Sequence, residues 1–260
     1  MAGRLFGLVL PDCCRLCQET LREVSRVPVC HRCLSSLEPL SAEYSCRGCR
    51  ITFLNDRPLD ESGRCAMCRN GLNGFDAAYT FGAYQGDLRK LIHLFKYGRI
   101  ETLSVPLGKL LMRALPLDRH FDMVTPMPMH WLRRWDRGFN QAEALAHHVA
   151  QRAGIPILRA ARRVRSTPAQ AGLSSAARRR NVAGVFQANQ QLDLNGRRIL
   201  LVDDVLTTGA TAGACAVVLK RAGAAHVTVL TVARADRRDW VEPLRIGPGV
   251  SGGHFALGVS

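Results

Sequence analysis

The sequence predicts an α/β protein: a mainly parallel sheet flanked by helices, preceded by a small cysteine-rich module. Three observations carry that expectation. Beyond about residue 73, apolar runs of strand length alternate with helix-periodic segments, an order that gives a parallel sheet with right-handed crossovers. Nine of the ten cysteines fall within the first 68 residues. One apolar run of strand length, starting at Arg198, ends in two adjacent acids and is followed by a small, hydroxyl-rich loop and a helix.

The cysteines form four Cys-x-x-Cys pairs: Cys14/Cys17, Cys30/Cys33, Cys46/Cys49 and Cys65/Cys68. Twelve, twelve and fifteen residues separate successive pairs. Each gap suits a knuckle-and-hairpin return, so the simplest arrangement is two Cys₄ zinc sites, first pair with second and third with fourth. Four thiolates leave no open position on Zn²⁺, so both sites are expected to be structural. Disulfides conflict with the reducing compartment inferred below, and four redox Cys-x-x-Cys motifs would be excessive. Cys13 could replace Cys14, but the register favours Cys14. His31 is expected to be exposed, and Cys215 to be a small core residue.

Arg69 to Gly74 is turn-rich and marks a boundary, dividing the chain into a cysteine module (1–72), an α/β domain (73–238) and a loosely held tail (239–260). Phe75 to Tyr84 reads as a strand. Asp87 would cap a helix whose Leu88, Leu91, Ile92 and Phe95 form a core stripe, flanked by Lys90, Lys96 and Arg99. A second helix is expected from about Leu103 to Leu115, and a strand from Phe121 to Thr125. Arg133, Arg134 and Arg137 follow that strand's end, where open α/β sheets bind ligands and guanidinium groups can clamp a pyrophosphate. Trp131, Trp135 and Phe139 either stack on bases or pack as core beside the helix Asn140 to Arg152, and core is the simpler reading. A basic block from Arg162 to Asn181 suggests a mobile loop leading into a short helix; a solvated charged face is the plainer alternative. Strands at Ala183 to Gln187 and His226 to Val232 bracket the acid-bearing one.

The segment Arg198 to Thr211 carries the chemistry. A strand–acid–loop–helix unit sets a phosphate on a helix N-terminus, where free N–H groups and the dipole favour an anion. Thr207, Thr208 and Thr211 add hydroxyl donors, and Gly209 lets the backbone come close. Asp203 and Asp204 would repel phosphate and suit sugar hydroxyls or a hydrated Mg²⁺. Neither the P-loop pattern nor the dinucleotide Gly-x-Gly-x-x-Gly pattern is present.

Lys plus Arg number 36 against 21 Asp plus Glu, a net charge of +15. Such an excess fits a nucleic-acid partner, and equally an Arg-biased composition combined with an anionic ligand. No apolar run approaches the roughly 18 residues of a membrane span. Met1 to Leu10 is too weakly patterned for a signal peptide. The expectation is a cytoplasmic protein with no membrane insertion.

The Asp203-to-Thr211 segment resembles the phosphoribosyl-pyrophosphate (PRPP) signature of type I phosphoribosyltransferases. The whole order resembles ComF/GntX-type proteins, through the cysteine pairs, Leu-Phe-Lys-Tyr-Gly at 94–98 and Arg-Gly-Phe-Asn-Gln at 137–141, then Thr-Pro-Ala-Gln-Ala-Gly-Leu-Ser at 167–174 and Arg-Arg-Arg-Asn-Val at 178–182. The resemblance implies a double zinc ribbon joined to a type I phosphoribosyltransferase-like domain, linked to competence and DNA uptake. It implies that Asp203 and Asp204 hold the ribose and Mg²⁺, and that Thr207, Thr208, Gly209, Ala210 and Thr211 hold the 5′-phosphate. Residues 126–130 would correspond to the pyrophosphate loop, and 166–181 to a closing loop; Lys96 joins the arginines as a ligand-binding candidate. In 6-oxopurine transferases an acid stands where this chain has Thr207, so the resemblance does not extend to that salvage chemistry. Two functions follow: transfer of phosphoribose to an unidentified acceptor, or single-stranded DNA binding with PRPP as a ligand that is not turned over. A purely structural zinc adaptor would leave the PRPP motif without a role.

Overall fold

The computed structural model describes residues 13–21, 26–41, 43–71, 73–116, 118–129, 138–165 and 184–235. Its centre is a four-stranded, wholly parallel sheet of β3 (Ala77–Ala83), β8 (His226–Arg234), β7 (Arg198–Leu206) and β4 (Met123–Pro126), in that spatial order. Beyond β4, Val124 forms one parallel bridge with Ile157. Parallel neighbours need long connections. Helices α3 (Gly86–Tyr97) and α4 (Ser104–Ala114) lie between β3 and β4 in sequence, α5 (Gln141–Ala153) follows β4, and α6 (Ala210–Arg221) joins β7 to β8.

Strand alternation divides the core in two. Ile199 and Leu201 of β7, with Val227 and Val229 of β8, face Ala212, Cys215, Ala216 and Leu219 of α6. Leu200 and Val202, with Leu230 and Val232, face the stripes of α3, α4 and α5. The stripe Leu88, Leu91, Ile92 and Phe95 is buried as its spacing predicts. Cys215 is fully buried, and burial pushes its thiol up to about 12.

The cysteine segment is built into both cores. It contains α1 (His31–Ser35), the antiparallel pair β1 (Tyr44–Ser45) and β2 (Thr52–Phe53), and α2 (Ala66–Arg69). Cys14, Val29, Cys33 and Leu37 join the α3–α4–α5 side, whereas Cys46, Cys49, Ile51, Phe53 and Cys65 join the α6 side.

Three details depart from the sequence expectations. Asp87 is not the cap of α3: Gln85 holds that position without a side-chain bond, and Asp87 pairs instead with Lys90 at 2.8 Å. The strand expected at Ala183 to Gln187 appears as β6 (Phe186–Ala188) and lies outside the main sheet. It pairs antiparallel with β5 (Ala161–Arg163), placing Arg162 and Arg163 in a strand where a loop was expected. Arg162 donates to Gln187 at 3.0 Å, and the Arg163 guanidinium lies 5.6 Å from the centre of the Phe186 ring; these cross-strand contacts favour pairing over a solvated loop. No helix among the described residues is long and apolar enough to cross a membrane.

Candidate functional site

The C-terminal ends of β3, β7, β8 and β4 share one edge of the sheet, the edge at which parallel α/β sheets bind ligands. A cavity of about 530 Å³ opens there, with Asp203, Asp204, Thr207, Gly209 and Thr211 on one side and a face of α3 on the other. Asp204 is 7% exposed. Its carboxylate takes Lys96 Nζ at 2.7 Å, and its backbone N–H donates to Asp203 Oδ1 at 2.9 Å. Burial disfavours the Lys96 ammonium, but the carboxylates of Asp204 and Asp203 outweigh it and raise the lysine pKa above its ordinary value.

After β7 the chain turns through Thr207 and Thr208 to Gly209, whose φ of +76° is a left-handed conformation that glycine adopts without strain. Gly209 is the N-cap of α6 and has no side chain with which to cap it. Ala210 N–H reaches Thr208 Oγ1 at 3.4 Å. Gly209, Thr211 and Ala212 line the cavity, so the N-terminus of α6 borders it, which favours an anion. At the end of β4, Met127, Pro128 and Met129 line the same cavity.

The α3 wall was not anticipated beyond Lys96. Arg89, His93, Lys96 and Tyr97 line the cavity with Tyr84 at the end of β3. Burial raises the Tyr84 pKa, and burial followed by Arg89 and Lys96 lowers that of His93. The rings form a row, with His93 centred 6.2 Å from Tyr84 and 5.4 Å from Tyr97. The spacing 89, 93, 96, 97 is itself helical, and this was the available signal. Phe139 packs as core, 5.2 Å from Phe95. Arg133, Arg134, Arg137, Trp131, Trp135 and the 166–181 segment lie outside the described residues.

The eight paired cysteines form two tetrads, Cys14/Cys17/Cys30/Cys33 and Cys46/Cys49/Cys65/Cys68, with the ligand atoms of each within 4.8 Å of one another. Cys13 is exposed and outside the tetrads, and His31 is exposed beside Ser35. Backbone N–H groups of Cys30 and Cys65 donate to Cys14 Sγ and Cys46 Sγ at 3.3 Å. The hydrogen bond from Cys49 holds Cys65 down to about 5, while Cys65 in turn raises Cys49. Such crowded thiols cannot all ionise without a cation, so the donor set fits zinc.

Residues 136–246 match the phosphoribosyl transferase domain. Competence protein F of Haemophilus influenzae is 28% identical over 85% of this chain and 90% of that protein. The DNA utilization protein YhgH of Escherichia coli K12 is 31% identical over 65% of this chain and 77% of its own length. Among solved structures, the glutamine PRPP amidotransferase from B. subtilis, complexed with ADP and GMP, aligns with a TM-score of 0.36 and 24% identity, covering 50% of this chain and 26% of that one. The parallel sheet and the domain match define a protein of the type I phosphoribosyltransferase fold. Within that class, the chain belongs to the ComF family, whose relatives carry the competence and DNA-utilization names.

Proposed function

We propose that this protein binds PRPP with Mg²⁺ and transfers its phosphoribosyl group to an acceptor not yet identified. The observation that carries the reading is the meeting of two unlike features in one cavity: an acid pair at the end of β7, and the glycine-led N-terminus of α6 beside it. A ligand with a sugar and a phosphate satisfies both. Asp203 and Asp204 hold the ribose hydroxyls, with Lys96 fixing Asp204. Thr207, Thr208, Gly209, Ala210 and Thr211 take the 5′-phosphate. Arg133, Arg134 and Arg137 are assigned to the pyrophosphate. Bound Mg²⁺, held with PRPP beside the acids, would offset charge on the departing pyrophosphate. In the reaction the acceptor's nucleophilic atom bonds to C1 of the ribose as the C1–oxygen bond to pyrophosphate breaks, and the protein groups position the reactants and stabilise charge.

The zinc tetrads serve structurally in a module covering residues 1–72. The setting is cytoplasmic DNA uptake or processing, alongside competence or DNA-processing proteins, as the relatives' names suggest. A second reading, in which PRPP is a ligand without turnover on a single-stranded DNA-binding protein, is favoured by the +15 charge.

The test is calorimetric titration of PRPP with Mg²⁺ into zinc-loaded protein, followed by screening acceptors for pyrophosphate release. Binding that disappears in Asp203→Ala/Asp204→Ala supports the site, and acceptor-dependent release selects the transferase. Absence of binding by folded wild type sinks both uses of PRPP.

A further inference from the structure

Residues around the second tetrad reach the phosphate loop from both of its ends, directly through Met67 and through Arg234 from Phe53. Met67 sits in α2, between the ligands Cys65 and Cys68, and a Cβ placed on Gly209 would lie 3.0 Å from its Sδ and 3.4 Å from its Cε. Phe75, just after the module, closes the same position at 3.5 Å. One helical turn on, a Cβ on Gly74 would lie 2.1 Å from the carbonyl oxygen of Gly213, so this strip of chain lies directly against the first turns of α6. At the other end of the loop, Phe53 of β2 carries the Arg234 guanidinium 5.2 Å from its ring centre, and Arg234 Nη1 donates to the Leu206 carbonyl at 3.4 Å. Leu206 immediately precedes Thr207. The first tetrad lies in the core on the opposite face of the sheet.

We infer that the second tetrad moulds the phosphate loop, with Met67 as the positioning residue, so that metal occupancy of this tetrad sets the affinity for the sugar phosphate. The affinity clause rests on the PRPP reading above; the mechanical link does not. Metal fixes Cys65 and Cys68 relative to Cys46 and Cys49, and thereby fixes the helix that presents Met67. With α2 held, Gly209 has one place to go, and the N-terminus of α6 is preset for the anion. Preorganisation of this kind raises affinity by removing an ordering cost at binding.

The link is read without ligand by hydrogen–deuterium exchange of the 206–214 segment in wild type, Met67→Ala, Met67→Leu and Arg32→Ala, each checked for metal content and melting temperature. Arg32 occupies the first tetrad's helix, away from the loop. Faster exchange in Met67→Ala, recovery in Met67→Leu and no change in Arg32→Ala is the expected pattern, together with a PRPP dissociation constant raised by about tenfold in Met67→Ala alone. Stripping the metal is expected to speed exchange in the same segment. Unchanged exchange in metal-loaded Met67→Ala overturns the inference whatever PRPP does. Exchange that responds in a protein that binds no PRPP upholds the mechanical link and removes the PRPP reading.

Discussion

Lys96 and Asp204 are joined by a 2.7 Å contact that ties α3 to the end of β7 across the candidate site. Both side chains are largely withdrawn from water, at 14% and 10% exposure. The pair does two things at once. It orients one carboxylate of the acid pair, and it brings the cavity-lining face of α3 towards the phosphate loop. Lys96 therefore holds the site together as well as adding charge to it.

Replacing Lys96 by Met leaves a buried carboxylate without its partner and is expected to cost about 3 kcal/mol of stability. Urea denaturation at neutral pH checks the magnitude. The folded-state pKa of Lys96 is raised, so its contribution is complete below the ordinary lysine value of about 10.4 and is lost as pH rises through the higher folded value. Wild-type stability should thus fall more steeply above that pH than Lys96→Met stability. Parallel alkaline profiles would show that the ion pair contributes nothing.

Gly209→Ala tests the phosphate loop. The φ of +76° strains any residue with a Cβ, by roughly 1–2 kcal/mol, and the added methyl would press on Met67 at 3.0 Å. The expected result is weaker PRPP binding with only a modest drop in the urea midpoint. Unaltered calorimetric affinity would place the anion elsewhere.

Asp76 provides the contrasting acid. It lies at the far end of the sheet, where it accepts Val227 N–H at 2.8 Å and Lys220 Nζ at 2.5 Å. Asp76→Ala removes both partners and is expected to cost about 1–3 kcal/mol. PRPP affinity of the folded variant should match wild type. A lost affinity at equal fold would mean that acids at either end of the sheet matter alike, contrary to the assigned site.

What could be read from sequence was what the chain keeps local. Asp203 to Thr211 is one continuous strand, turn and helix start, so residue types and order alone imply its chemistry. The tetrads were legible for the same reason, since each joins neighbouring pairs. The α3 wall was hidden because Leu88, Leu91, Ile92 and Phe95 explain the helix fully as an amphipathic one, and nothing local gives Arg89, His93 and Tyr97 a partner. Only the strand order β3-β8-β7 brings that face to the acids. The pairing of β5 with β6 was hidden likewise, because a short strand among arginines carries little apolar pattern. The contact between Met67 and Gly209 joins residues 142 positions apart, beyond any local rule.

Metal content gives the most direct check of the cysteine assignments. Each tetrad supplies four sulfur ligands within 4.8 Å, so wild type should bind two zinc ions per chain. Cys46→Ser removes a ligand from the second tetrad alone and should leave one tightly held zinc; Cys13→Ser should leave two, because Cys13 is exposed and outside both tetrads. Metal binding to such sites is coupled to folding, and both tetrads are built into the cores on either face of the sheet. Chelation should therefore lower the melting temperature of the whole chain and not melt a detached module alone. Elemental analysis alongside calorimetric unfolding decides it. One zinc in wild type would overturn the two-site assignment, and an α/β domain whose transition ignores the chelator would show that the cysteine segment folds and acts apart from the sheet it covers.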